Sequence, residues 1–101
     1  MDPGSQPISL PQDAAETFAI RVLDWMAGQP DLFARFLGQS GLNPSEIPAL
    51  AQEPEFLASV VDALLGDEAA LLACCEALSV PPDYPMRARA GLPGGDLPHW
   101  T

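Results

Sequence analysis

Residues 12–28, QDAAETFAIRVLDWMAG, decide the fold class. At about 100° per residue, Ala15, Phe18, Ala19, Val22, Leu23 and Met26 share one broad arc. Asp13, Glu16, Thr17, Arg21 and Asp24 lie away from its centre, so the stretch predicts an amphipathic helix over about 12–27. Gly28 is placed to end it.

Outward from this helix the chain repeats the same punctuation. PDLFARFLGQS (30–40) predicts a second helix, with Pro30 in its first turn, Gly41 after its end, and Asp31 and Arg35 spaced i,i+4. In GLNPSEIPALAQ (41–52), Asn43, Pro44 and Glu46 make a capping-box pattern that predicts a third helix. Pro48 falls early enough in it for its ring to be tolerated. PEFLASVVDALLG (54–66) repeats the apolar arc with Phe56, Leu57, Val60, Val61 and Leu64. Asp67 is placed to cap a fifth helix, DEAALLACCEALS (67–79), and Pro82 opens a short sixth, PDYPMRARA (82–90), before Gly91. The Pro/Gly-rich ends, 1–10 and 92–101, are expected to be flexible.

Sliding the chain by 38 residues brings FAIRVLDWMAGQPDLFARFLGQSGLNPSEI (18–47) onto FLASVVDALLGDEAALLACCEALSVPPDYP (56–85). Phe18 meets Phe56, Val22 meets Val60, Asp24 meets Asp62 and Gly28 meets Gly66. Apolar phase alone would match between any two amphipathic helices, and the coincident punctuation is the better argument. The expected fold is therefore all-α: one compact bundle of five to six short helices over 11–91. It is read as a tandem duplication of a three-helix unit, with repeats at about 12–52 and 53–90.

Composition narrows the function classes. One hundred and one residues suffice for a single domain, and 48% hydrophobic content is too high for a disordered chain. Fourteen acids against four Lys and Arg give a net charge of −10. Such a surface repels phosphate backbones and anionic membranes, so the expected partner is a protein, with a basic surface favoured. Self-association stays open. The N-terminus has no basic region followed by an apolar run, and no apolar stretch is long enough to span a bilayer, which points to the cytoplasm.

From Ala15 to about Gly91 the chain resembles an uncharacterised bacterial family of short helical proteins, a domain of unknown function. The resemblance rests on Ala27-Gly28 and on Arg35-Phe36-Leu37 through Ser40-Gly41-Leu42 to Pro44. It continues through Phe56-Leu57, Leu64-Leu65, Asp67-Glu68 and Leu71-Leu72-Ala73, and closes with Val80 and Pro82. It implies a bacterial, cytoplasmic, helical protein and brings no activity with it. The family pattern has other apolar residues at the Cys74-Cys75 pair.

Chemistry finds little purchase in this chain. Adjacent helical residues point about 100° apart, whereas paired thiolate ligands need Cys-x2–4-Cys spacing and a closed site needs four ligands. Cys74 and Cys75 overlie Phe36 and Leu37 in the other half and read as small hydrophobes. Helical phase predicts Cys75, between Leu71 and Leu72, as the deeper of the two. His99, the one histidine, sits in the tail, far in sequence from any nucleophile. Asp67-Glu68 and Glu53/Glu55 stand at helix starts, where carboxylates offset the helix dipole. No catalytic residue, metal or cofactor is expected, and the chain reads as a non-enzyme.

The segment Gly41 to Ile47 resembles the turn of a helix-turn-helix, which gives an alternative reading as a DNA-associated regulator. Its following helix, however, carries no Lys or Arg to meet phosphates. The leading reading is an acidic interaction module, an adaptor or regulator. Its candidate surface residues are Ile20, Trp25 and Leu65, which lie off the buried arcs, together with Trp100 in the tail.

Overall fold

The computed structural model describes residues 9–94, which form an all-helical bundle of six helices. They run α1 (Gln12–Ala27), α2 (Pro30–Ser40), α3 (Ile47–Leu50), α4 (Pro54–Leu65), α5 (Glu68–Leu78) and α6 (Tyr84–Ala90). One 3-10 turn, Pro44–Glu46, leads into α3. Trp100 and His99 lie outside the described residues.

α1 and α4 form the centre of the bundle. Their apolar arcs face each other, and Val22 and Met26 of α1 and Val60, Val61 and Leu64 of α4 are all 0% exposed. Fully burying a side chain of this size stabilises the fold by about 1.5–3 kcal/mol each. α6 packs along both central helices, while α2 docks on α1 and α5 docks on α4 and α1. Two edge-to-face aromatic pairs pin the outer helices to the centre: Phe18 on Tyr84 of α6 at 5.0 Å, and Phe36 of α2 on Phe56 at 6.1 Å.

Local structure recurs at the 38-residue offset. α2 and α5 begin and end at corresponding residues. Gly28 (φ −88°, ψ 2°) and Gly66 (φ −81°, ψ −1°) end α1 and α4 in nearly the same conformation. α2 ends on Gly41 at φ 70° and α5 on Ser79 at φ 60°, both left-handed. Each is followed by a 6→1 bond, Leu42 N–H to the Leu37 carbonyl at 3.1 Å and Val80 N–H to the Cys75 carbonyl at 3.0 Å. At the start of α5, Asp67 Oδ1 accepts from the Ala70 amide at 3.1 Å.

The third elements of the two halves part company. The expected capping box forms in both directions: the Glu46 carboxylate accepts from the Asn43 amide at 2.8 Å, and the Asn43 side chain accepts from the Glu46 amide. The helix it opens is nevertheless only a 3-10 turn followed by one turn of α-helix, with no fully buried side chain. Pro48 supplies no amide donor there, so the i→i−4 ladder cannot be laid down from Pro44. In the second half Pro85, not Pro82, occupies the first turn, and α6 starts at Tyr84. Pro85 and Ala88 are buried in the core.

Packing also runs past the expected ends. Leu10 packs on the core and donates its amide to the Arg87 carbonyl at 3.1 Å, and Leu92 is 3% exposed. Gly91 makes this closure possible, since a Cβ there would collide with the Leu10 carbonyl and press on Ala15.

Cys74 and Cys75 are both buried and unbridged, but their order is the reverse of the expected one: Cys74 is 0% exposed and Cys75 2%. α5 turns the face carrying Asp67, Ala70, Leu71, Cys74 and Leu78 inward, which leaves Leu72 out at 48% exposure. The inward face of α5 is thus centred away from the Leu72 flank that helical phase alone favours. Desolvation, with the neighbouring Cys75 sulfur second, pushes the Cys74 thiol up to about 11; burial raises Cys75 as well.

Candidate functional site

The sequence-based candidates do not share one environment. Ile20 is 46% exposed on the outer ridge of α1. Trp25 and Leu65 are half-buried and packed against the core. The ridge that carries Ile20 and Asp24 separates two shallow grooves. One, of about 450 Å³, runs between α1 and the end of α5 and is lined by Ile20, Arg21, Asp24, Trp25, Ala77 and Leu78. The other, of about 270 Å³, opens between α1, α2 and α3 and is lined by Ile20, Leu23, Asp24, Ala27, Phe33 and Ile47. Ile20 and Trp25 thus meet at the first groove, and Leu65 lines neither.

These grooves have apolar walls and an acidic ridge. Glu16 and Asp24 stand four residues before and after Ile20, on the same helix face. Asp24 has no ion-pair partner among the described residues, while the bundle's arginines are drawn to other tasks. Arg21 donates to the Leu78 carbonyl at 3.2 Å, tying α1 to the end of α5. Arg35 pairs with Asp67 at 2.7 Å, and Arg89 with Asp62 at 2.7 Å. The Arg87 guanidinium lies 5.6 Å from the centre of the Tyr84 ring.

The Arg35–Asp67 pair crosses a third hollow, of about 500 Å³, between α2 and the α4–α5 junction. The Ala70 amide, then the Arg35 guanidinium, hold the Asp67 carboxyl below its ordinary 3.8, against the opposing effect of desolvation. Asp67 is thus committed to a cap and an ion pair. Among the described residues, no three His, Cys, Asp or Glu side chains converge as a metal site requires, and no helix is long and apolar enough to cross a membrane.

Family comparison joins this geometry to other sequences. A family model described as "Protein of unknown function (DUF3572)" matches residues 12–95. The chain belongs to this family. The matched span takes in all six helices and both grooves. No curated protein and no solved structure matches the chain. Membership carries a fold and no assigned chemistry, so function has to be argued from the surface itself.

Two exposed apolar residues escaped the reading of the sequence, Leu72 at 48% and Met86 at 58%. A signal for Leu72 was present: Glu68 and Glu76 lie four residues to either side, as Glu16 and Asp24 do around Ile20. Acids at both i−4 and i+4 mark an outward helix face, because burying them unpaired is costly. The segment Gly41 to Ile47 forms the α2 cap and the 3-10 turn, and the helix after it is four residues long.

Proposed function

We propose that this chain is a non-enzymatic interaction module, an adaptor or regulator that docks a basic protein segment on the outer ridge of α1. The observation that carries the reading is Ile20, 46% exposed on a small helical domain and set between two grooves with Asp24 beside it. A large apolar side chain at the meeting point of two concave walls, rimmed by carboxylates, has the layout of a docking surface: an apolar anchor with a polar edge. The free thiols of the core suit a reducing compartment, and the cytoplasm is the proposed location.

The recurrence of helix ends at the 38-residue offset supports a second element of this reading, that the bundle descends from a duplicated three-helix unit. On that view the third element of each unit diverged, one into the packed α6 and the other into the short turn before α4.

Ile20→Asp is the clean test of the surface, because Ile20 projects from the ridge while Trp25 also contributes to the core. A protein that co-purifies with the chain, rebinds it when both are pure, and loses binding to Ile20→Asp at unchanged helicity supports the proposal. Trp25→Ala is expected to weaken the same complex. Retardation of a duplex DNA fragment by the pure chain at moderate salt would transfer the role to DNA-associated regulation.

A further inference from the structure

We infer that the groove between α1, α2 and α3 takes a short helix of a partner protein bearing an arginine for Asp24, in the way that α4 takes α6 within this chain. The inference rests on the docking role proposed above and names the chemistry of the occupant. At the 38-residue offset, Ile20, Leu23, Asp24 and Ala27 correspond to Ala58, Val61, Asp62 and Leu65. On α4 this face is closed: Ala58 is 4% exposed and Val61 0%. α6 packs along α4, and its Arg89 donates Nε–H to Asp62 Oδ1 at 2.7 Å. On α1 Leu23 is buried like Val61, at 7% exposure, but the flank of the matching face at Ile20 and Asp24 is open. Ile20 is 46% exposed, the groove beside it holds about 270 Å³, and Asp24 is unpaired among the described residues.

The cause lies in the third element. The turn and α3 contribute no fully buried side chain, and the residue corresponding to Arg89 is Ala51, which cannot reach a carboxylate with a charge. One half therefore shows what this kind of face binds, while in the other half α3 reaches the groove through Ile47 and brings no cation to Asp24. The fitting occupant is a helix of about two turns with small or apolar residues on one face. An arginine on its last turn would make a charge-assisted hydrogen bond to Asp24. Residues 1–8 and 95–101 contain neither Lys nor Arg. With Glu16 and Asp24 flanking Ile20, charge complementarity favours a basic segment of another protein.

The test uses a synthetic peptide with the sequence of residues 82–93, PDYPMRARAGLP, titrated into the isotope-labelled full chain and followed by amide shifts. Saturable shifts at Ile20, Leu23, Asp24, Ala27, Phe33 and Ile47 are expected. Affinity should drop about two- to five-fold for Asp24→Asn, the scale of an exposed ion pair. A peptide carrying Arg89→Glu should bind less well, and Asp24→Arg should restore its binding. No shift in the groove, or shifts confined to α4 where the peptide displaces α6, overturns the inference. Groove shifts that appear on concentrating the chain without peptide overturn it in favour of a second copy. If the peptide fails while an Ile20-dependent partner is still retained, only the arginine-helix chemistry falls; if both fail, the docking role falls with it.

Discussion

The halves of the bundle, 12–50 and 54–90, share the C-terminal ends of their first two helices and a central apolar arc, yet they treat their third element differently. In the second half α6 is sealed between α1 and α4 by Pro85, Ala88, the Phe18–Tyr84 contact and the Arg89–Asp62 pair. In the first half the corresponding segment stays at the rim, and α1 keeps an exposed isoleucine beside a groove, with an aspartate that is unpaired among the described residues. Similar helices placed by similar caps can thus give a closed face and an open one. The decision falls on a few residues of the third element: an arginine against Ala51, and Ala88 against Leu50.

The largest effects should fall where the halves agree. Phe18→Ala and Phe56→Ala each remove a buried ring and one aromatic contact, and each should cost about 3–5 kcal/mol in denaturant unfolding. A large inequality between them would mean that one half carries most of the core.

The next test separates the third elements. Ala88→Leu forces extra methyl groups into a fully buried site and should cost about 1–3 kcal/mol, as should Gly91→Ala, whose Cβ would meet the Leu10 carbonyl. Leu50→Ala, at the position corresponding to Ala88 but only half-buried, should cost about 1 kcal/mol or less. Similar losses at Ala88 and Leu50 would break the contrast drawn between α6 and α3.

At the αL caps the signs should oppose. Gly41→Ala puts a Cβ at φ 70° and should destabilise by about 1–2 kcal/mol, whereas Ser79→Gly relieves a non-glycine residue at φ 60°. Ser79→Gly should raise the melting temperature slightly.

Titration should distinguish the halves at low pH, because Asp67 corresponds to Gln29, which does not ionise. The Asp67 carboxyl is held below 3.8 in the fold, so its contribution is present above the unfolded value and lost as pH falls through the folded one. Asp67→Gln should flatten that acid limb in pH-dependent unfolding. At the other extreme, the Cys74 thiol is raised from 9.0 to about 11, so its stabilising share is complete below 9.0 and lost as pH rises toward 11. At pH 8 native Cys74 should therefore react slowly with alkylating reagents, and denaturant should accelerate labelling.

The sequence by itself determined the helices, the central arc and most of the caps. These depend on local spacing, on glycine at helix ends and on acids such as Asp67 at helix starts, all of which act within one or two turns. It also identified Ile20 as an off-arc apolar residue. Tertiary structure decided the rest. Which flank of α5 turns inward, and hence that Leu72 is exposed and Cys74 is the deeper thiol, depends on how α5 lies against α4 and α1; helical phase sets an arc but not its centre. Whether Trp25 packs or projects depended in the same way on its neighbours. That α6 is sealed and α3 is not depended on a contact 27 residues long in sequence, Arg89 to Asp62, and on the Leu10–Gly91 closure. Cysteines 74 and 75 were legible as packing because a thiol without nearby ligands or a base behaves as a hydrophobe. The open groove on α1 was not legible, because an unoccupied face exists only relative to the helices that fail to cover it.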